Sequence, residues 1–167
     1  SGVLGGLGDI VSQKISGTDK SLDIRRLLMF TIAAAFYFAP VIGAWFSILN
    51  SISVPGNAAA KAIAMIAVDQ TFGAVSVIGT YFFFYELIDH IIPGGSACEE
   101  GVNPIINIIK KGSYSLRHTM PSILVANWKL WPFVNFLNFR YISPNYQLLV
   151  SNLMSFFWNI YLAGATA

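Results

Sequence analysis

The residues of this chain that could do chemistry are polar side chains set in apolar helical stretches. Four of them, Asn127, Trp131, Asn135 and Asn138, recur at i, i+4, i+8 and i+11, which places them on one face of a predicted helix. An asparagine in hydrocarbon is costly unless another helix or water meets it. We therefore expect this asparagine stripe to face protein or a wet cavity, either as bonds between helices or as the lining of a pore or solute path.

Two carboxyl side chains and their glutamine neighbours extend this polar set. Asp9 and Gln13 lie one turn apart on the first predicted helix, and Asp69 and Gln70 lie within the third. A carboxylate within a membrane helix needs a partner or water for its charge. We expect the two aspartates to meet inside the bundle, within reach of a glutamine or of the asparagine stripe. They are either a functional site or structural anchors between helices.

The composition indicates that the elements holding these side chains are membrane helices. Hydrophobic residues make up 55% of the chain, charged residues make up 11%, and the mean hydropathy is +0.62, well to the apolar side of a soluble domain. A length of 167 residues leaves room for about four or five spans of ~20 residues each. The predicted fold is an all-α membrane bundle, a single domain over residues 1–167, with four to five membrane helices and one amphipathic surface helix.

Helical periodicity and turn residues predict where these elements lie. The third helix is about 50 Å long and exceeds a ~30 Å hydrocarbon core, so we expect it to tilt or to protrude. The fourth is short and amphipathic, with isoleucines on one side and Lys110, Lys111 and Arg117 on the other, and is expected at the membrane surface. Ser1 falls where a helix is already under way, so an N-terminal arm is expected before it. The predicted helices cover residues 3–16, 24–49, 58–92, 104–118, 120–142 and 145–163.

The basic residues predict the orientation of the bundle. They concentrate in the loop after the first helix, around Lys20, and in the segment after the third helix, around Lys110. The loop between the second and third helices, residues 54–57, has none. By the positive-inside rule, the two basic regions share one side of the membrane, facing matrix, stroma or cytosol.

Several functional classes are not supported by the sequence. It contains no nucleotide-binding loop, catalytic triad, zinc motif or dinucleotide fingerprint, so we expect neither an enzyme nor a cofactor or metal. The net charge of +2 is too small to indicate nucleic-acid binding. Cys98 is the only cysteine, which excludes an intramolecular disulfide. The expected partners are membrane lipids and other membrane subunits of a larger complex.

Four blocks of the sequence, in order, resemble the twenty-two-kilodalton peroxisomal membrane protein family, which includes the Mpv-seventeen proteins of the mitochondrial inner membrane. The first three contain Gly8, Asp9 and Gln13, the segment 39–46, and Asp69, Gln70 and Ala74. In the family's third block a proline occupies the position of Val75. The most specific block is C-terminal, and it consists of Trp128, Trp131, Pro132, Asn138, Phe139, Ser143, Pro144 and the run Trp158, Asn159, Ile160, Tyr161, Leu162.

This resemblance implies an α-helical bundle in an organelle membrane, most often the mitochondrial inner membrane, with a peroxisomal or plastid membrane as the alternative. It also implies a channel for small solutes, whose path the polar residues above would line. The alternative function is a non-catalytic structural subunit of a large membrane complex, in which the same residues bond helices together. Two departures stand out: Asn135 replaces a frequent glutamine, and Gln147 replaces a basic residue, which puts any role of that charge in doubt.

Overall fold

The computed structural model describes residues 7, 10, 11, 13, 14, 23–94 and 103–165, with the backbone alone for residues 158–165. Across these residues the chain is helical apart from short turns, and no strand occurs among them, which confirms the all-α fold class. The described residues before position 23, which are 7, 10, 11, 13 and 14, are helical. The helices that follow are α1 (Ile24–Ser51), α2 (Ala58–Ile91), α3 (Pro104–His118), α4 (Met120–Tyr141) and α5 (Pro144–Ala165).

The helix starts are defined by side chains that the sequence places at N-cap positions. Asp23 caps α1 by accepting from the backbone N–H of Arg26 at 2.9 Å. Asn57 caps α2 by accepting from the second and third N–H groups of the helix, at 3.1 and 3.0 Å. Asn103 caps α3, whose first residue is a proline, a position where the missing N–H costs nothing. These caps satisfy N–H groups that have no partner within the helix.

Two short π-helical turns interrupt the long helices. In α1, the segment Ala33–Phe38 is followed by Pro40, which has no N–H to donate to the carbonyl four residues earlier. In α2, the segment Asp69–Gly73 is also π-helical, and Ala74 donates its N–H to the carbonyl of Asp69. Val75 stands where the resembling family has proline, so the irregularity in α2 arises here without one. Single π turns are frequent at functional sites.

The helices after α2 run back along it. Phe83 of α2 lies against Gly112 of α3, and Gly79 faces Leu116 near the end of α3. Further along, Trp128 of α4 donates its indole N–H to the carbonyl of Gln70 at 3.2 Å. Together, α3 and α4 therefore lie antiparallel to α2 from its C-terminal end towards its start. Three of the four isoleucines of α3, Ile105, Ile106 and Ile109, remain exposed, and its position at the membrane surface stays a prediction.

The two ends of the bundle are joined by polar contacts. At one end, Arg25 forms an ion pair with Asp89 and also donates to its backbone carbonyl, at 3.1 Å, so the start of α1 meets the end of α2. At the other end, Lys61 donates to the carbonyl of Asn50 at 2.9 Å. Because α3 begins beside the end of α2, Lys110 lies towards the same end as Arg25, opposite the turn at residues 54–57.

Two helices among the described residues, α1 and α2, are long and apolar enough to cross a membrane. Their outer faces present large apolar side chains such as Phe36 and Phe72, which are 73% and 68% exposed. Such faces suit contact with lipid. The total of four to five spans expected from the sequence stays a prediction.

Candidate functional site

The carboxyl group of Asp69 is the centre of a buried polar cluster. Its Oδ1 accepts from the indole N–H of Trp45 at 2.8 Å. Its Oδ2 accepts from the side-chain amides of Gln70 at 2.7 Å and of Asn135 at 2.8 Å. Asp69 is 8% exposed and Asn135 is 4% exposed. These four residues, which we call the Asp69 cluster, bring α1, α2 and α4 together at one point.

Gly73 allows the indole of Trp45 to reach this carboxyl group. It ends the π-helical turn that begins at Asp69, and it is buried beneath Trp45. A Cβ at this position would lie 2.5 Å from the indole nitrogen and 2.8 Å from Oδ1 of Asp69. Both distances are shorter than van der Waals contact, so only glycine leaves room for the hydrogen bond.

The asparagine stripe of α4 leaves its acceptor oxygens without partners. The Oδ1 atoms of Asn127, Asn135 and Asn138 are buried and accept no hydrogen bond from any described residue, and the same holds for Oε1 of Gln70. Asn127 and Asn138 are eleven positions apart, which is roughly 16 Å of helix. All four atoms are hydrogen-bond acceptors, so their missing partners must be hydrogen-bond donors. Trp131, between two of the asparagines, is half-buried.

A second polar network lies next to the cluster, towards the end where α1 meets α5. Gln147 accepts from Nδ2 of Asn50 at 2.8 Å and donates to the carbonyl of Ile142 at 3.2 Å. Asn138 donates both to the backbone carbonyl of Gln147 and to Oγ of Ser151, each at 3.1 Å. Gln147 and Asn138 are each 1% exposed. The uncharged Gln147 therefore joins α1, α4 and α5 through neutral hydrogen bonds.

Gln13 lies away from Asp69, whose neighbours among the expected glutamines and asparagines are Gln70 and Asn135; the predicted place of Gln13 along a solute path or between helices stays a prediction. Its side-chain amide donates to the carbonyl of Asp23 at 3.2 Å and accepts from that residue's N–H at 2.7 Å. Asp23 precedes Trp45 by 22 positions, which is about 33 Å along α1. Gln13 is thus held at the opposite end of the bundle by a loop backbone that needs its hydrogen-bonding groups. Asp9 lies outside the described residues, so its expected meeting with Asp69 stays a prediction.

The C-terminal signature residues have packing positions around these networks. Phe139 meets the ring of Phe46 edge to face, with centroids 5.4 Å apart, in the core cluster that also contains Leu49 and Met65. Pro132 lies half-buried inside α4, and Pro144 is the first residue of α5. Trp128 contributes the bond to Gln70 described above. Trp158 and Asn159 lie in α5, and their side chains are outside the described part of the chain.

Sequence reasoning missed Trp45, Gly73, Asn50 and Gln147 as members of these networks. Asn50 and Gln147 are 97 positions apart, and neither belongs to a periodic polar stripe. Trp45 stands in an apolar stretch where an indole is expected as packing. One available signal was that a tryptophan N–H needs an acceptor when it is buried.

An apolar groove of about 310 Å³ runs between α1 and α2 on the outer face of the bundle. Trp45 and Gly73 form part of its wall and separate it from the carboxyl group of Asp69. The described interior around Asp69 is closed, as the burial of Asn135 and Asn138 indicates. Within the described ranges no group of three histidine, cysteine, aspartate or glutamate residues could hold a metal ion. The remaining residues that line the groove are Val41, Ala44, Ile48, Ser76, Val77 and Thr80.

Comparisons with known proteins identify relatives that match nearly the whole chain. The profile described as the Mpv17 / PMP22 family matches residues 109–163. PXMP2/4 family protein 1 of Dictyostelium discoideum is 30% identical, over 94% of this chain and 70% of that protein. The mitochondrial inner membrane protein Mpv17 of Caenorhabditis briggsae is 27% identical, over 99% of this chain and 82% of that protein. The protein of the same name from Homo sapiens is 29% identical, over 98% of this chain and 84% of that protein. No solved structure matches the chain.

Proposed function

We propose that this chain, which belongs to the Mpv17 / PMP22 family and is an integral protein of the mitochondrial inner membrane, forms a channel for small solutes. The location is supported by relatives named mitochondrial inner membrane protein Mpv17, and the PXMP2/4 names fit a peroxisomal alternative. In the proposed channel, the Asp69 cluster forms the constriction, and the asparagine stripe of α4 lines the path beside it.

The observation that carries this proposal is the surplus of acceptor oxygens along the stripe. Buried amides that serve only to bond helices together usually have both their N–H groups and their oxygens satisfied. Here Asn135 and Gln70 give their N–H groups to Asp69, while their oxygens have no donor among the described residues. Water, or a solute that carries hydroxyl, amine or cationic groups, supplies the donors that such a surface lacks.

The conformation described here corresponds to a closed channel in this proposal. Asp69 is enclosed by the side chain of Trp45 on one side and by α4 on the other. Opening requires α1 or α4 to move away from α2. The π-helical turn that begins at Asp69 is a place where a helix can change register at low cost, because its hydrogen bonds already deviate from the α pattern.

The same closed interior favours the second candidate function, a structural, non-catalytic subunit of a larger membrane complex. In that case the three donors to Asp69 serve to fix the relative positions of α1, α2 and α4. The unpartnered oxygens would then be met by ordered water within a sealed bundle.

Planar bilayer recordings of the purified protein test the channel, with Asp69→Asn as the key variant. The substitution keeps the size of the side chain and removes its charge, so a channel constricted at this point should change its ion selectivity. Glu86→Gln is the matched control, because it removes a carboxylate near the end of α2, 17 positions away, and should leave selectivity unchanged. Conductance absent from both the wild type and the variants would contradict the channel and favour the structural subunit.

A further inference from the structure

The side of α4 that faces away from the asparagine stripe has a lysine in the middle of an apolar surface. Lys129 is exposed, and it lies one turn from Val125 and from Phe133, which are 50% and 67% exposed. At 100° per residue, Lys129 is roughly 160° to 200° around the helix from Asn127 and Trp131. We call the surface formed by Val125, Lys129 and Phe133 the outward face of α4.

This lysine lies at a depth where α2 is inside the membrane. Its neighbour Trp128 bonds to the carbonyl of Gln70, which is 12 positions from the start of α2 and 21 from its end. The helix α2 has 34 residues and is about 51 Å long. A ~30 Å hydrocarbon core centred on the middle of α2 therefore extends about 8 Å beyond Gln70, towards the start of the helix. Lys129 is therefore surrounded by hydrocarbon, apart from the protein beside it.

A lysine at this depth needs an anion. An exposed cationic side chain inside hydrocarbon is costly, and such residues pair with an acidic group or reach the interface. Helical side chains lean towards the N-terminus of their own helix, and the N-terminal end of α4 lies beside Gly79, deeper in the membrane. Reaching a lipid headgroup would thus require Lys129 to extend against its preferred direction.

No described residue of the chain provides that anion. Lys129 makes no ion pair or side-chain hydrogen bond with the described residues. The carboxyl groups of Asp23, Glu86 and Asp89 lie towards the opposite end of the bundle, and Asp69 is buried on the other side of α4. A symmetric pairing of two copies through this face would place one Lys129 against the other, which is unfavourable.

We infer that the outward face of α4 binds a transmembrane helix of a different protein, and that this helix carries a carboxylate which pairs with Lys129. The flanking side chains give such a helix an apolar surface to pack on, and the charge pair fixes its depth and rotation. Aromatic residues such as Phe133 are enriched at the centres of interfaces. This inference concerns a partner surface on the opposite side of α4 from the proposed solute path, so it does not depend on the channel.

The inference is tested in the native membranes with a membrane-permeant carbodiimide, which joins an amine to a carboxylate in direct contact. We expect Lys129 to form an amide with an aspartate or glutamate in an apolar segment of another protein, and mass spectrometry of the cross-linked peptide identifies both residues. Lys129→Arg keeps the charge but cannot be acylated in this way. It should lose the cross-link and keep the high-mass band on a mild-detergent native gel.

Lys129→Leu removes the charge from an exposed position and should leave the isolated protein folded. Loss of one member of a buried charge pair should weaken the assembly about thirtyfold or more, seen as a shift from the high-mass band to the free protein. Lys14→Leu, at an exposed lysine near the N-terminus, is the control and should not shift it. The inference is overturned if Lys129→Leu assembles like the wild type, or if Lys129 gives no protein cross-link and is joined only to lipid.

Discussion

Replacing Gly73 with alanine should separate Trp45 from Asp69. The new Cβ would lie 2.5 Å from the indole nitrogen and 2.7 Å from the adjacent ring carbon Cε2. Ordinary contact begins near 3.4 Å, so the ring must move by almost 1 Å. That movement lengthens a 2.8 Å hydrogen bond beyond its useful range.

The magnitude follows from three terms. Losing a hydrogen bond to a carboxylate costs about 1.5–3 kcal/mol, and displacing a packed ring costs about 1–3 kcal/mol. Alanine is better than glycine in a helix by about 1 kcal/mol, which offsets part of the loss. We therefore expect the free energy of unfolding to fall by about 1.5–5 kcal/mol.

The assay is unfolding of the purified protein in mixed detergent micelles, followed by tryptophan fluorescence. Gly43→Ala is the matched control, because its Cβ would meet Leu148 at an ordinary 3.6 Å, and it should be neutral or slightly stabilising. In a Trp45→Phe background, the cost of Gly73→Ala should shrink, since the bond is already absent and the ring is smaller. Equal stability of Gly73→Ala and Gly43→Ala would refute the reasoning.

Two further substitutions test the packing around the site. Gly112→Ala should loosen α3 from α2, because its Cβ would lie 2.6 Å from the ring of Phe83. We expect faster protease cleavage within α3 and a free energy of unfolding lower by about 1–3 kcal/mol. Unchanged cleavage would contradict the close packing. Gln147→Leu should lower the free energy of unfolding by about 1–3 kcal/mol, because it removes the acceptor for Asn50 and the donor to Ile142 in a buried network. A variant as stable as the wild type in the same detergent unfolding assay would show that this network contributes little.

The sequence by itself determined the helices and much of their chemistry. Apolar composition and 3.6-residue periodicity predicted five helices from residue 24 onwards whose ends agree with the structure to within about two residues, while the ends of the helix predicted over residues 3–16 lie outside the described residues. The caps at Asp23 and Asn57 are equally local features, because their side chains satisfy N–H groups in the next turn. The asparagine stripe was predictable for the same reason, since the position of residues on one helix face follows from the geometry of that helix alone.

Only the tertiary structure decided which of these polar groups meet. Asp69 and Asn135 are 66 positions apart, and their contact depends on how far α4 slides and rotates against α2. The sequence suggested Gln13, Gln70 or an asparagine of the stripe as neighbours of Asp69, and Gln70 and Asn135 do bond to it. The donor on the α1 side is Trp45, which reaches the carboxyl group because Gly73 has no side chain. Axial register between helices is fixed by close packing of many side chains. No local pattern contains that information, so the members of the site emerge only once the bundle is assembled.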